Sequence, residues 1–492
     1  MQAPILYTLT SGLHGGMAAD PRQEPFIRGL EAALGTAFDF RGEDFGAYGQ
    51  TEAPELIYVR TGGTEGIFLQ KLGTHAFRKT VLLLTSGTHN SLAASMEILS
   101  WLRQRGFAGE ILHGSADYIA ARIRGIRGIR GAHNLDSHPA TPEFDIRGEK
   151  QPLAHPDGAD GSLRGEKQPL AHPDGADGGL RGEKQPLTHP GGANEGDSPM
   201  IRPYSFGLIL EGKRFGVIGK PSDWLISSGV DYAAARENLG AELIDIPIEE
   251  LVAEVRLTSR PETPPIPGNP PANGKGSPEI TPVSGPGPKL KPLNPPRYGR
   301  KIDAVDWDGA LAIYAALKAL VRRYRLDGLT LRCFDLLTAL HNTGCLALAI
   351  LNAEGITATC EGDVPALLSM AVAQARTGSA SFQANLSRIE DGRLLFAHCT
   401  VPLSIVRDYC YDTHFESGIG VAIHGELPEG PVTLFKLAPD FKRMLRLEAR
   451  LSANTYGDSL CRTQVVVEAP GAEEYFLRTP IGNHHIIVPG KL

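Results

Sequence analysis

Short apolar runs of the kind that fill a buried strand recur through the first 120 residues, at 5–9, 56–60, 81–85 and 110–113. Between the last two, residues 91–105 carry apolar positions at helical spacing. Strand and helix signals in this alternation predict a parallel, doubly wound sheet. A second region of the same kind starts at Phe215, continues through 242–247, and resumes with a helix over 310–324 and a strand over 328–334. After a helical stretch at 364–375 the pattern changes. Runs at 396–401, 419–423, 432–436 and 485–488 read as strands of a mixed or antiparallel sheet. The expected fold class is α/β, with two doubly wound α/β domains and a β-rich C-terminal domain.

Two stretches break this pattern. Residues 124–199 contain Arg147-Gly-Glu-Lys-Gln-Pro-Leu, repeated at Arg164 and Arg181 with a period of 17 residues. One or two Leu per repeat cannot bury enough apolar area to offset roughly 1–2 kcal/mol of ordering entropy per residue. Stacked solenoid repeats need an apolar face, and this unit has none. The stretch therefore reads as a disordered insertion. Residues 259–300 are Pro-rich and read as an extended linker or surface loop. The expected organisation is an N-terminal α/β domain at 1–123, a second α/β domain from 200–258 and 301–345, and a catalytic β-rich domain at 346–492.

Composition narrows the function. A formal net charge of −7 with 21% charged residues gives no footprint for nucleic acid or an anionic membrane. The basic group Arg322-Arg323-Tyr324-Arg325 reads as the exposed end of a helix. No apolar run is long enough to span a bilayer, and the first ten residues lack the features of a signal peptide. The six cysteines are separated by 12, 15, 39, 11 and 51 residues, without a CxxC pair. That spacing argues against a thiolate zinc site and for reduced thiols in a cytoplasmic protein.

Candidate chemistry gathers where strands end. Thr61-Gly-Gly-Thr-Glu-Gly follows a strand, either as a tight turn or as a ligand rim, which makes Glu65 and Asn90 candidate substrate contacts. Ser222 and Trp224 follow the strand at 217–218, and Trp224 fits sugar contact and interdomain packing equally. Asp363, before Val364-Pro365, fits a helix N-cap. Glu361 ends a buried strand, where a carboxylate is either paired or functional. His398 ends another strand. His484 and His485 alternate in a strand, so at most one of them faces a given site.

Together the segments 360–370, 382–403, 414–418 and 482–490, with 88–99 and 216–226, resemble the L-fucose isomerase family and, more loosely, L-arabinose isomerase. The resemblance implies two Rossmann-like α/β domains, a β-rich C-terminal domain and a homo-oligomer whose sites are completed by a neighbouring subunit's N-terminal domain. It also implies a divalent metal, usually Mn2+, held by two carboxylates and a His. By position these are Glu361, the nearest first carboxylate Asp335, and His485 as the favoured member of the His pair. Asp335 stands one residue away from the family's glutamate. The implied activity is aldose–ketose isomerisation of a small-molecule sugar, a pentose or deoxyhexose. Such a reaction moves a proton between C1 and C2 through an enediol, with Glu361 and Asp335 as candidate catalytic groups and His398 as a further sugar contact.

The repeats yield the first prediction. Replacing residues 131–199 with a short Gly/Ser bridge leaves the thermal unfolding midpoint nearly unchanged. Insolubility, or a midpoint lowered by several degrees, contradicts the reading of these repeats as a disordered insertion.

Overall fold

Strands that must be apolar on both faces place the first sheet. In the computed structural model, which describes residues 3–12, 20–128, 200–204, 206–257, 290–291 and 302–492, the first strands are β1 (Ile5–Leu9), β2 (Asp39–Gly42), β3 (Glu55–Val59), β4 (Val81–Thr85) and β5 (Gly109–Leu112). They pair in parallel in the order β2-β1-β3-β4-β5. Every residue of β1, β3 and β4 is buried, as a sheet covered on both faces requires. The covering helices are α1 (Pro25–Leu34), α2 (Glu65–Leu72), α3 (Ser91–Gln104) and α4 (Ala116–Gly128). Leu6, Tyr58 and Leu84 pack with Ile27 of α1 and Ile119 of α4. Tyr7, Ile57 and Leu83 pack with Phe68 of α2 and Leu92 of α3 on the opposite face. Helix α4 runs five residues past the expected boundary at 123.

β6 (Ile201–Pro203) leads into a second parallel sheet, β7 (Arg214–Ile218), β8 (Glu242–Ile246), β9 (Gly328–Leu331) and β10 (Thr357–Cys360), in the order β10-β9-β7-β8. Its helices are α5 (Tyr232–Leu239), α6 (Ile248–Leu257), α7 (Ala304–Tyr324), α8 (Asp335–Leu340), α9 (Cys345–Ala353) and α10 (Val364–Thr377). The sheet thus takes β10 from beyond the expected domain boundary at 345. The basic group ends α7, where Arg323 pairs with Glu250 and Glu254 of α6. The repeats and nearly all of the Pro-rich stretch lie outside the described residues.

The remaining strands are β11 (Phe382–Glu390), β12 (Arg393–His398), β13 (Asp408–Asp412), β14 (Ala422–Glu426), β15 (Gly430–Leu437), β16 (Arg443–Thr455), β17 (Thr463–Glu468) and β18 (His485–Pro489), with α11 (Glu473–Arg478) before the last. Here the expected sheet is a closed barrel. Antiparallel pairs run β15-β18-β11-β12-β17-β16, and β16 pairs back to β15. Closure leaves these strands no free edge. β6 adds outside, on β16. The run at 419–423 enters a strand only from Ala422, and that strand forms a separate hairpin with β13.

Alternation divides the barrel wall between two cores. Phe396, Leu434 and Ile487 join the core shared with the first sheet. Phe435, Ile486 and Val488 face outward onto α10. The barrel, α10 and the second sheet therefore stack in that order. All described residues belong to one compact unit. The six cysteines are free, and five of them are buried. Among the described residues, no helix is long and apolar enough to cross a membrane.

Candidate functional site

Three loops leave the carboxyl edge of the second sheet side by side, where ligands collect in open α/β sheets. After β7 comes Gly219–Trp224, after β9 comes Arg332–Phe334, and after β10 come Glu361 and Gly362. Glu361 sits in the left-handed region at φ 65°, followed by Gly362 at φ 66°. A side chain on Gly362 would lie 2.7 Å from the Lys220 carbonyl oxygen and 2.9 Å from the Ser222 nitrogen. The two loops are thus pressed together. A glutamate held in this conformation stores roughly 1–3 kcal/mol of strain, a feature concentrated at functional sites.

That turn aims the carboxylate at two imidazoles. Glu361 Oε1 lies 3.3 Å from His484 Nε2 and 3.6 Å from His398 Nε2. Trp224 Nε1 donates to Glu361 Oε2 at 3.1 Å. His484 Nδ1 meets Asp363 Oδ2 at 2.8 Å, and His398 Nδ1 meets Thr400 Oγ1 at 2.9 Å. Each ring is therefore anchored by one nitrogen and presents the other to Glu361. Asp363 also caps α10, its Oδ1 accepting from the Ala366 nitrogen. One carboxylate does both tasks.

Glu361, His398 and His484 offer one ligand atom each, all within 4.8 Å of one another. Their chemistry fits a divalent cation: one oxygen and two nitrogens converge, and the carboxylate behind His484 is the usual orienting partner of a metal-bound imidazole. Without a cation, burial disfavours charge on both sides of the contact, yet the attraction wins. His484 is raised to about 10 by Glu361 and Asp363, and Glu361 is held well below the ordinary carboxylate range by His484 and His398. A cation would take the place of the His484 proton.

The sequence reading favoured His485, and the strand turns it the other way. His485 shares the inward face of β18 with Ile487, completely buried, with its Nε2 2.9 Å from the Tyr475 hydroxyl and its ring against Phe476 and Phe396. Burial, with Lys436 and His484 nearby, keeps it neutral. Glu361 and Asp363 lie outside the barrel, beside the start of α10, so the outward-facing His484 meets them. Asp335 is likewise apart from the set. It opens α8 and pairs with Arg332 Nε at 3.2 Å, and Arg332 also binds Asp223. His398, expected as a sugar contact, stands among the possible ligands.

The other expected contacts surround the same centre. Trp224 packs edge-on against Phe334, with ring centroids 5.3 Å apart, beneath the Arg332 guanidinium. Ser222 is buried, and its hydroxyl has no hydrogen-bond partner. Asn90, at φ 58°, donates from Nδ2 to Glu416 Oε1 at 2.8 Å, while its Oδ1 is buried without a partner. Glu65, 3% exposed, also has an unpartnered oxygen, Oε2. Burial raises Glu65 to about 8, helped by Glu97, Glu361 and Glu416, and burial with Glu361 does the same to Glu416.

Sequence reasoning missed the groups behind the centre. Glu97 of α3 is fully buried and accepts from the Ser227 nitrogen, the Asn483 nitrogen and the Ser228 hydroxyl. Lys436 of β15 is also fully buried and donates to the His484 carbonyl oxygen at 3.1 Å. A charged residue inside an apolar helical or strand pattern was the available signal for both.

A carboxyl whose pKa is higher in the fold than in the open chain stabilises the fold while it is protonated. For Glu65 that contribution is complete below the ordinary value of 4.5 and is lost as pH rises through about 8. In chelator-treated protein, stability should therefore decline between pH 5 and 8, with Glu65 adding at most about 1.4 kcal/mol per pH unit. Urea unfolding of Glu65→Gln should show a shallower decline and a gain over wild type at pH 9. Parallel profiles would contradict the burial of an acid at this position.

Comparison with known proteins adds no relative to this geometry: no protein-family model matches the chain, and neither does any curated protein.

Proposed function

We propose that this protein is a metal-dependent aldose–ketose isomerase acting on a pentose or deoxyhexose. The observation that carries the reading is the convergence of two anchored imidazoles on the Glu361 carboxylate, at 3.3 and 3.6 Å. Family resemblance of the segments 360–370, 382–403, 414–418 and 482–490, with 88–99 and 216–226, supplies the choice of reaction. The finer fold assignment, two Rossmann-like domains, is supported by two parallel sheets whose strand orders each reverse direction, at β1 and at β7. A cytoplasmic location, a free sugar as partner, self-association, and the absence of nucleic-acid or membrane partners complete the proposal.

Glu361, His398 and His484 would hold the cation, with Asp363 and Thr400 orienting the two rings. When bound, a divalent ion supplies Lewis acidity to the charge that develops on the sugar's oxygens. Mn2+ belongs to this proposal, although two imidazoles and one carboxylate also suit zinc or ferrous iron. Glu361 is the base in our reading, since its carboxylate is kept ionised and is steered by the Trp224 indole. The Trp224 and Phe334 rings offer an apolar wall to a sugar's carbon face, and Ser222 and Asn90 offer unsatisfied polar atoms to its hydroxyls. The first carboxylate expected at Asp335 is engaged with Arg332. That engagement favours, as a second reading, another metal-assisted proton abstraction on a hydroxy-carbonyl substrate. A sugar-binding protein without catalysis is the remaining alternative.

The resemblance implies a site completed by a neighbouring subunit. Within this chain, Asn90 and Glu65 of the N-terminal unit already reach the surroundings of Glu361. Self-association would then serve stability or access and would not supply these two residues.

Metal analysis and a ketose-formation screen over pentoses and deoxyhexoses test the reading, together with three variants. Glu361→Gln should fold normally and lose about 10²-fold or more in turnover. His484→Ala should lose metal affinity, with partial recovery in excess metal, whereas His485→Ala should retain bound metal and lose stability by opening a cavity in the barrel. Wild-type metal content and turnover in Glu361→Gln would remove Glu361 from the site.

A further inference from the structure

We propose that Glu65 is the second catalytic carboxyl of this site, passing a proton to and from the sugar's oxygens while Glu361 handles the carbon-bound proton. The proposal rests on the isomerase reading and fills the role that the family resemblance implies for Asp335. Three observations carry it. Glu65 opens α2 at the carboxyl edge of β3, beside the point where the first sheet reverses its strand order. It is buried, and among the described residues it forms no ion pair, although its Oε2 has no hydrogen-bond partner. Other buried carboxylates of the N-terminal unit are fully engaged: Glu110 by Arg122 and Arg478, and Glu97 by its three donors. An unsatisfied acid at such a position is costly to keep unless it serves a ligand.

Its surroundings suit an acid that holds its proton. Glu97 of α3, Glu361 at the end of β10 and Glu416 of the loop between β13 and β14 all act on it electrostatically. With burial, these like charges raise Glu65 to about 8. Asn90 fixes Glu416, and Gly62 makes room for Asn90: a side chain on Gly62 would lie 2.9 Å from Asn90 Cβ. Glu416 is thus a positioning residue, a second buried acid held beside Glu65.

The exchange balances as follows. Glu361 takes the proton from C2, the C–H electron pair forms the C1=C2 bond, and the carbonyl π pair moves to O1. O1 then takes the Glu65 proton, leaving an enediol, a neutral Glu361 and an ionised Glu65. In the second half Glu65 removes the O2 proton, the O–H pair forms C2=O2, and C1 takes the proton from Glu361. One hydrogen has moved from C2 to C1 and one from O2 to O1. Both carboxyls are restored.

Two measurements on the full-length, metal-loaded protein separate this proposal from the reading beneath it. Exchange of the aldose C2 hydrogen with deuterated water, followed by NMR in wild type, tests the reading. Infrared difference spectra between pH 6 and 9 and the pH profile of kcat test Glu65. The expected result is a protonated-carboxyl band that disappears at alkaline pH in wild type and is weaker in Glu65→Gln, with Glu416 supplying what remains. In that variant kcat should fall about 10²-fold, KM should change little, and the alkaline limb of the profile should vanish. Glu65→Asp should recover part of the rate, and carries the test if Glu65→Gln fails to fold. An active wild type with kcat and the alkaline limb unchanged in Glu65→Gln would overturn the proposal alone. A wild type that exchanges no deuterium into any aldose would overturn the isomerase reading, and the role of Glu65 with it.

Discussion

A single buried carboxylate ties the layers of this protein together. Glu97 projects from α3 of the first sheet and receives hydrogen bonds from the loop that follows β7 and from the turn that enters β18. The turn has no slack. A side chain on Gly482 would lie 3.1 Å from Glu97 Oε2 and from the Ser228 hydroxyl. Once Asn483 is pinned there, strand geometry does the rest, sending His484 outward to Glu361 and His485 inward to Tyr475. Removing the Glu97 side chain would leave three donors in the interior without their acceptor, each at a cost of about 1–3 kcal/mol. The placement of His484 depends on that contact more than on any local preference of its own segment.

The same economy governs charge. Glu361 and Asp363 lie on either side of His484, and Lys436 holds the backbone of that histidine from behind. Buried charges of one sign are thus met by charges of the other within the same small volume, the condition under which they are tolerated. Around Glu65 and Glu416 the balance is different. Glu97, Glu361 and Glu416 all act on Glu65, and several of the site's polar atoms are left unsatisfied. One side of the centre is built to hold positive charge, and the other to hold protons.

Local pattern made some of this legible. The largely apolar runs of β1, β3 and β4 announced a sheet covered on both faces, and Glu361 stood out as a carboxylate ending a buried strand. Alternation also foretold that only one of His484 and His485 could face the site. Which one depends on whether the site lies inside or outside a barrel. Closure of that barrel rests on β15 meeting β16 and β18 at once, a pairing of distant segments that no periodicity encodes. Asp335 appeared suitable by proximity in sequence, but Arg332, three residues earlier and one helical turn away, claims its carboxylate. Glu97 sat inside a helical apolar pattern, and only the three-dimensional structure explains it, because its partners come from segments more than 120 residues away.

The central claim is that two imidazoles and the Glu361 carboxylate form one cation site. X-ray absorption at the metal edge of protein loaded with a single equivalent of Mn2+ or zinc reads the imidazole count directly. The account predicts two imidazole nitrogens in wild type and in His485→Ala, and one in His484→Ala. A spectrum with no imidazole scattering, or one that His485→Ala alters and His484→Ala leaves intact, would contradict it.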